Sequence, residues 1–254
     1  MTDKVLTTER DATLVVTINR PERKNAVDHE TSRGIDQAIT YLEEAEHLQV
    51  GILTGAGGTF CAGMDLKAFI DGENPVLTDH GFAGVTHRTI TKPLIAAVEG
   101  WALAGGCEVV LACDLVIAGE GARFGLPEVQ RGLVAAAGGV IKLPRRIPTN
   151  IAKEIILTGD PLSADRAHRL GLVNRLVDDG SSLRSAEELA AKIARNAPLA
   201  ITASKRVIDE SQDWTMAVAY QRQEPIVRSA QGSEDALEGA RAFAEKREPI
   251  WTGR

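Results

Sequence analysis

The alternation of strand-like and helix-like periodicity in the first half of the chain is the feature that most constrains its fold. Leu14, Val16 and Ile18 alternate with polar residues, which predicts a half-buried strand. After a polar loop, an apolar stripe at helical spacing over residues 35–42 predicts a helix with Asp28 as its N-cap. A strand followed by a loop and an amphipathic helix is one unit of an α/β protein.

The same succession recurs further along the chain. Short apolar runs at 50–53, 93–98 and 115–118 predict buried strands. Between the last two, a glycine-started apolar stretch at 105–112 predicts a helix. Strands interleaved with helices in this way indicate an α/β core.

The second half of the chain is predicted to be mainly helical. Residues 136–171 are expected to form helices, with a strand following at 173–177. A capping box at 185–188 is expected to start a helix, and residues 237–244 have the spacing of a final amphipathic helix.

These patterns divide the chain into an α/β core, residues 1–196, and a C-terminal helical region, residues 197–254. Segment 69–91 is the least regular part of the core. It is compatible with a mobile loop or short helix over a pocket, and equally with a plain surface loop.

Composition excludes several classes of protein. The chain has 254 residues, of which 44% are hydrophobic and 25% charged, as in an ordinary globular protein with a sizeable core. Its formal net charge is −6 and no run of Lys and Arg stands out, so a nucleic-acid partner is not expected. Its apolar stretches are too short for a membrane span, so no membrane partner is expected either.

The cysteines and the N-terminus give an indication of the cellular compartment of the protein. Cys61, Cys107 and Cys113 lack metal-type spacing and are expected to be buried structural thiols, which suits a reducing compartment. The first residues do not have the basic and apolar pattern of a signal peptide. A cytoplasmic protein is therefore expected.

Two glutamates in glycine-flanked turns are the candidate catalytic groups. Glu108 ends the stretch 101–108 and Glu128 ends the stretch 123–128. Two carboxylates near one substrate atom can share and move protons, one as base and one as acid. The alternative is a pair of solvated surface glutamates.

Glycine-rich backbone next to these glutamates offers hydrogen-bond donors. The N–H groups of Gly105 and Gly106 lie at a predicted helix N-terminus, where they can stabilise an oxyanion or merely permit close packing. The stretch 55–66 has neither the P-loop nor the dinucleotide-binding pattern, but it is a plausible second source of donors.

Other common active sites are not supported by the sequence. No Gly-x-Ser-x-Gly elbow occurs, and the histidines lack metal-ligand spacing and are expected to lie at the surface. These histidines are His29, His47, His80, His87 and His168. The residues thus favour an enzyme that uses carboxylates and backbone dipoles without a metal.

These residues and their surroundings resemble the enoyl-CoA hydratase/isomerase (crotonase) family over almost the whole chain. The matching stretches are 18–21, 25–26, 60–65, 92–108, 113–114, 124–128, 138–139, 157–159, 167 with 171–174, 238–239 and 243–247. The resemblance implies a spiral of repeated ββα units with a C-terminal helical trimerisation region. It also implies a homotrimer or homohexamer and an acyl-CoA thioester as substrate, without a separate cofactor.

The resemblance also assigns roles to residues. It places the oxyanion hole at the backbone N–H groups of Met64 and Gly105, and the two proton-transferring glutamates at Glu108 and Glu128. The N–H of Ala136 is expected to help hold the reacting water. The CoA-binding positions are Lys24, Ala26, Ala62, Asp65 and Leu66, with Phe243 and Lys246 expected to reach the CoA of a neighbouring subunit.

Enoyl-CoA hydratase is the activity that this resemblance favours, with Glu108 as the base for water and Glu128 supplying the proton at C2. One alternative is another crotonase reaction: dehydration of a carnitinyl-type or branched 3-hydroxyacyl-CoA, or double-bond isomerisation. Isomerases need one carboxylate, so the presence of both argues against that option. A non-catalytic acyl-CoA-binding protein and a thioester hydrolase are further alternatives.

One stretch departs from the family pattern. Ala135 and Ala136 stand where hydratases of the family commonly have Pro-Gly. The change is expected to reshape the pocket beside Glu128.

Overall fold

The computed structural model describes residues 3–254. The strands are β1 (Val5–Arg10), β2 (Thr13–Ile18), β3 (Val50–Gly55), β4 (Val76–Leu77), β5 (Gly81–Phe82), β6 (Leu94–Val98), β7 (Trp101–Leu103), β8 (Leu115–Gly119), β9 (Arg123–Gly125), β10 (Leu162–Ser163) and β11 (Arg175–Val177). The α-helices are α1 (His29–Glu44), α2 (Leu66–Ile70), α3 (Gly105–Ala112), α4 (Gly139–Arg146), α5 (Thr149–Thr158), α6 (Ala164–Arg169), α7 (Ser182–Ala194), α8 (Pro198–Ser211), α9 (Met216–Gln231) and α10 (Glu234–Glu245). Short 3₁₀ turns span Pro21–Arg23, Ala56–Gly58 and Pro127–Arg131.

A six-stranded sheet in the order β1-β2-β3-β6-β8-β11 is the centre of the core. β1 runs antiparallel to β2, and the other neighbours are parallel. Parallel neighbours need crossover connections, and here helices and a second set of strands supply them.

The crossovers build a repeated ββα unit. β6 leads through β7 into α3, and β8 leads through β9 and a 3₁₀ turn into α4. β7 and β9 pair in parallel in a separate sheet with β10, and Cys61 adds a single bridge to Ala102 of β7. The predicted α/β spiral of ββα units is confirmed.

Helices cover both faces of the main sheet. α1 contributes Ile35, Ile39 and Leu42 to a core cluster with β2, while Ala186 and Ala190 of α7 pack on the opposite face. The prediction that residues 13–18 form a strand buried on one face is therefore wrong in one respect. β2 is buried on both faces, because α7 covers the side on which Val15 lies.

Local signals predicted most N-terminal elements correctly. The N-cap of α1 is Asp28, whose carboxylate accepts a hydrogen bond from the Thr31 amide at 2.8 Å. α3 begins and ends where the sequence predicts, at Gly105 and Ala112. All three cysteines are free and buried, and burial raises the pKa of each thiol to about 12.

Three predictions need correction. Ser185 is not a cap, because α7 already begins at Ser182, where the Glu99 carboxylate accepts from the Ser182 amide at 3.0 Å. Segment 136–171 is not continuously helical but contains α4, α5, the short strand β10 and α6. Segment 69–91 is more than a loop or short helix, because β4 and β5 pair in it as a small hairpin.

The C-terminal region is helical, as predicted, and packs less tightly than the core. α8 has no buried residue among those described, and α9 buries Ile226. The division into domains at residues 196 and 197 stays a prediction. Within residues 3–254, no helix combines the length and apolar character needed to cross a bilayer.

Candidate active site

A cavity of about 530 Å³ opens where α3, the 127–137 segment and the β4–β5 hairpin meet. Most of the predicted site residues line it. They are Lys24, Ala62, Met64, Leu66, Gly105, Glu108, Glu128 and Ala136. The cavity therefore brings together both glutamates, both proposed oxyanion donors and part of the predicted CoA path.

Glu108 lies in the first turn of α3 and is 4% exposed. Its Oε1 accepts a hydrogen bond from the Gly139 amide at 2.8 Å. Gly139 begins α4, so the carboxylate of one helix sits at the N-terminus of another. This contact fixes the carboxylate, because helix N-termini offer free donors and partial positive charge.

The pKa of Glu108 is raised to about 7, mainly by burial and in part by the charge of Glu128, against the lowering effect of the Gly139 and Ala137 amides. A carboxyl that titrates near neutral pH can accept or donate a proton under ordinary conditions. Glu108 is therefore suited to either role in proton transfer.

Glu128 lies on the 3₁₀ turn Pro127–Arg131. Its Oε2 is buried and has no hydrogen-bond partner among the described residues. Burial also raises the pKa of this carboxyl. A buried carboxylate oxygen left unpaired in a cavity is available for a substrate atom or a water molecule.

The backbone at Ala104 orients the Gly105 amide. Ala104 has φ 50° and ψ −128°, a left-handed conformation that favours glycine, and its carbonyl accepts from the Cys107 and Glu108 amides. In the described part of the chain, the Gly105 and Met64 amides donate no hydrogen bond to a backbone carbonyl outside the helices and strands. Both donors therefore stay free at the cavity wall.

The two donor segments also approach each other closely. A Cβ on Gly63 would lie 2.9 Å from the Ala104 Cβ and 3.2 Å from the Gly105 nitrogen. Gly63 has φ +99°, so a side chain there would be strained as well. Glycine is thus needed beside Met64 to bring the two amides to one place.

Other predicted CoA-binding residues do not line the cavity. Asp65 pairs with Arg20 at 2.9 Å and caps α2 through the Lys67 and Ala68 amides, and the Ala26 carbonyl accepts from the Arg20 guanidinium. Phe243, at 87% exposed, and Lys246 lie at the C-terminal end of α10. Their roles in CoA binding stay predictions.

Sequence reasoning missed several contributors to the site. The Gly139 amide is one, although the Gly138-Gly139 pair before a helix was a visible signal of free donors. Arg131, Val76, Phe82, Leu133 and Val134 also line the cavity. They come from irregular segments, which periodicity does not identify.

Lys142 is a further, partly buried charged group near Glu108. Its Nζ donates to the Thr86 carbonyl at 2.8 Å, which ties α4 to the segment after β5. Burial lowers the pKa of this lysine, and its charge opposes the rise in the pKa of Glu108. Within residues 3–254, no group of three or more His, Cys, Asp or Glu side chains is placed to hold a metal ion.

Comparison with known proteins gives consistent matches along the chain. The sequence model of the enoyl-CoA hydratase/isomerase family matches residues 8–254. A carnitinyl-CoA dehydratase from Salmonella heidelberg (strain SL476) is 40% identical over 262 aligned residues, covering 100% of both chains. A crystal structure of enoyl-CoA hydratase from Mycobacterium tuberculosis H37Rv matches with a TM-score of 0.98 and 54% identity over 100% of both chains. A crystal structure of carnitinyl-CoA hydratase from Mycobacterium avium matches with a TM-score of 0.80 and 44% identity, again over 100% of both.

Proposed function

The chain belongs to the enoyl-CoA hydratase/isomerase family, and we propose that it adds water reversibly across the 2,3 double bond of a 2-enoyl-CoA thioester in fatty-acid or related acyl-CoA metabolism. The observation that carries this proposal is the meeting of the buried Glu108, the half-buried Glu128 and two free backbone N–H groups in one cavity. Such a site can polarise a thioester carbonyl and move protons at C2 and C3.

In the hydration direction, the Met64 and Gly105 amides donate to the thioester oxygen. Ionised Glu108 takes a proton from a water molecule that the Ala136 amide helps to hold, and the water oxygen bonds to C3. The electron pair of the double bond moves toward C2 and the carbonyl, giving an enolate that the two amides stabilise. Glu128 then delivers its proton to C2, which completes the addition of water.

Dehydration of a 3-hydroxyacyl-CoA is the second candidate direction. This reaction starts with Glu108 protonated and Glu128 ionised. Glu128 then removes the C2 proton, and Glu108 protonates the leaving hydroxyl. The pKa of Glu108, raised to about 7 partly by the Glu128 charge, favours that state near neutral pH. The relative named carnitinyl-CoA dehydratase is consistent with it.

The proposal extends to CoA binding and assembly. Lys24, Ala62 and Leu66 line the cavity and are assigned to the CoA moiety, with Ala26 and Asp65 beside them. In a homotrimer or homohexamer, Phe243 and Lys246 would reach the CoA of a neighbouring subunit.

No separate cofactor is required, because each step is assigned to a protein group. A cytoplasmic location is supported by the three free, buried thiols.

The test is turnover of a panel of 2-enoyl-CoA thioesters, followed by loss of the conjugated absorbance. Glu108→Gln and Glu128→Gln are each expected to lower turnover by roughly 10²- to 10⁴-fold, the usual contribution of a general acid or base. Glu210→Gln, in an exposed ion pair with Arg206, is the control and is expected to leave turnover unchanged. Unchanged turnover in both active-site variants would contradict the mechanism, and thioester binding without any turnover would favour a binding protein.

A further inference from the structure

The wall of the cavity that carries Glu128 also carries a free guanidinium. Arg131 ends the 3₁₀ turn Pro127–Arg131 and lies three residues after Glu128, so the two side chains project from the same side of the turn. Both line the cavity. No ion pair or hydrogen bond engages the Arg131 side chain in the described part of the chain, and its charge lowers the pKa of the nearby Glu128. The neighbouring side chain of Gln130 turns away and donates to the Thr158 carbonyl.

The rest of this part of the cavity is apolar. Leu133 and Val134 follow Arg131 in the sequence and line the cavity, as do Val76 and Phe82 of the β4–β5 hairpin. An aliphatic acyl chain suits these walls. Among residues 3–254, the carboxyls that line the cavity are Glu108 and Glu128, which the proposed reaction already uses.

From this arrangement we propose that the cavity selects acyl-CoA thioesters whose acyl chain ends in a carboxylate, and that Arg131 pairs with this carboxylate. The inference rests on the proposed function, which places C3 at the two glutamates. Three residues of a 3₁₀ turn span about 6 Å, so a group a few bonds beyond C3 comes within reach of the guanidinium. Arginine binds a carboxylate through two parallel hydrogen bonds, which gives orientation as well as attraction.

The same guanidinium disfavours a cationic acyl chain. A carnitinyl group ends in a trimethylammonium, which carries positive charge and offers no hydrogen bond to arginine. Like charges repel each other, and Arg131 is exposed at the open part of the cavity, where solvent weakens this repulsion without removing it. This chain is therefore expected to discriminate against carnitinyl-type thioesters, although a relative of 40% identity is named for that substrate.

Equilibrium binding tests the inference independently of turnover. Calorimetric titration with adipoyl-CoA and hexanoyl-CoA compares two saturated six-carbon chains, only one of which ends in a carboxylate. Wild type is expected to prefer adipoyl-CoA by about 10-fold or more, as a charge-assisted pair predicts. The preference is expected to vanish in Arg131→Gln and to persist in Arg33→Gln, a control at an exposed position on α1 outside the cavity.

Lys24 is a second cation that lines the cavity, so Lys24→Gln is a necessary third variant. Loss of the adipoyl preference in Lys24→Gln, with the preference retained in Arg131→Gln, would overturn the assignment. Equal affinity of wild type for the two thioesters would overturn it as well.

Turnover then separates this inference from the proposed function. Wild type is expected to hydrate 2-hexenedioyl-CoA with a higher kcat/KM than 2-hexenoyl-CoA, and to act poorly on crotonobetainyl-CoA. Arg131→Gln is expected to bring the three values closer together by about 10-fold. Hydration of these thioesters with relative kcat/KM values that are the same in wild type and Arg131→Gln contradicts the inference alone. Failure to hydrate any of the three thioesters contradicts the proposed function. In that case the calorimetric preference for adipoyl-CoA still tests whether Arg131 binds the carboxylate.

Discussion

Glu108 lies at a buried position where the ionised form of its side chain is energetically unfavourable. Its pKa of about 7 lies above the ordinary value of 4.5, because the side chain is buried. The folded chain therefore binds this proton more tightly than the unfolded chain does. Stability is highest when Glu108 is protonated and falls as pH rises from the unfolded pKa through the folded one, by about 3 kcal/mol in total. Ionised Glu108 therefore lowers the stability of the fold, which an uncharged structural residue at the same position would not do.

Replacing Glu108 by Gln removes that cost. Gln keeps an acceptor for the Gly139 amide but cannot ionise, so Glu108→Gln is expected to raise the free energy of unfolding at pH 8 by about 1–3 kcal/mol. At pH 4, where wild type is also uncharged at this position, the difference is expected to disappear. Urea unfolding at fixed protein concentration measures both values, with Glu210→Gln as control. A variant that is no more stable than wild type at pH 8 would refute the assigned burial cost.

At the residue scale, the sequence identified the groups whose role can be recognised from the residues next to them in the chain. Glu108, Gly105 and Met64 stand beside glycines and match a family pattern, and all three line the cavity. The Gly139 amide was missed because it meets Glu108 across 31 positions of the chain. Arg131 was missed because its importance depends on what surrounds it, namely a largely apolar cavity in which it makes no ion pair or hydrogen bond among the described residues.

At the scale of elements, periodicity predicted helices and strands well but their ends less well. α7 shows why. Its start is set by Glu99, which is distant in sequence and accepts from the Ser182 amide, so the local Ser185 signal is overridden. The short strands β4, β5, β7, β9 and β10 have two or three residues each, which is too few for alternation to be recognised.

A buried carboxylate of α10 is one of the groups that hold the C-terminal tail, together with Glu238, which accepts from the Ile250 amide. Asp235, 2% exposed, accepts from the Thr252 amide at 2.7 Å and from the Gly253 amide at 3.0 Å. The Trp251 indole donates to the Arg195 carbonyl just after α7 at 2.7 Å. The tail thereby links α10 to the last core helix.

Asp235→Ala is expected to loosen this link. Buried hydrogen bonds to a charged group contribute about 1.5–3 kcal/mol each in favourable cases, and the two amides would lose their acceptor. Hydrogen exchange should become faster for the amides of residues 247–254 and α10, while those of α3 keep their protection. Glu234→Ala, at the exposed neighbouring position, is the control. Equal protection of the tail in Asp235→Ala and wild type would contradict this role.

At the scale of the whole molecule, the C-terminal region leaves large apolar side chains uncovered. Met216, Tyr220, Leu237, Phe243 and Ile250 are each between 69% and 87% exposed. Exposed apolar side chains of this size are compatible with a contact to another molecule. In the proposed homotrimer or homohexamer a second copy of the chain would cover them, and Phe243 and Lys246 are predicted to lie near the cavity of a neighbouring subunit.

Mixing two defective variants tests this arrangement. Glu108→Gln lacks the base, and Phe243→Ala/Lys246→Ala lacks the residues assigned to the neighbour's CoA. If these residues act across the interface, mixed oligomers contain sites with an intact glutamate from one chain and an intact α10 from the next. Random mixing in equal amounts gives about a quarter of such sites, so activity at low thioester concentration should exceed the sum of the separate variants. Light scattering gives the oligomeric state of each sample. If the residues instead serve the cavity of their own chain, every site keeps one defect, and mixing restores nothing.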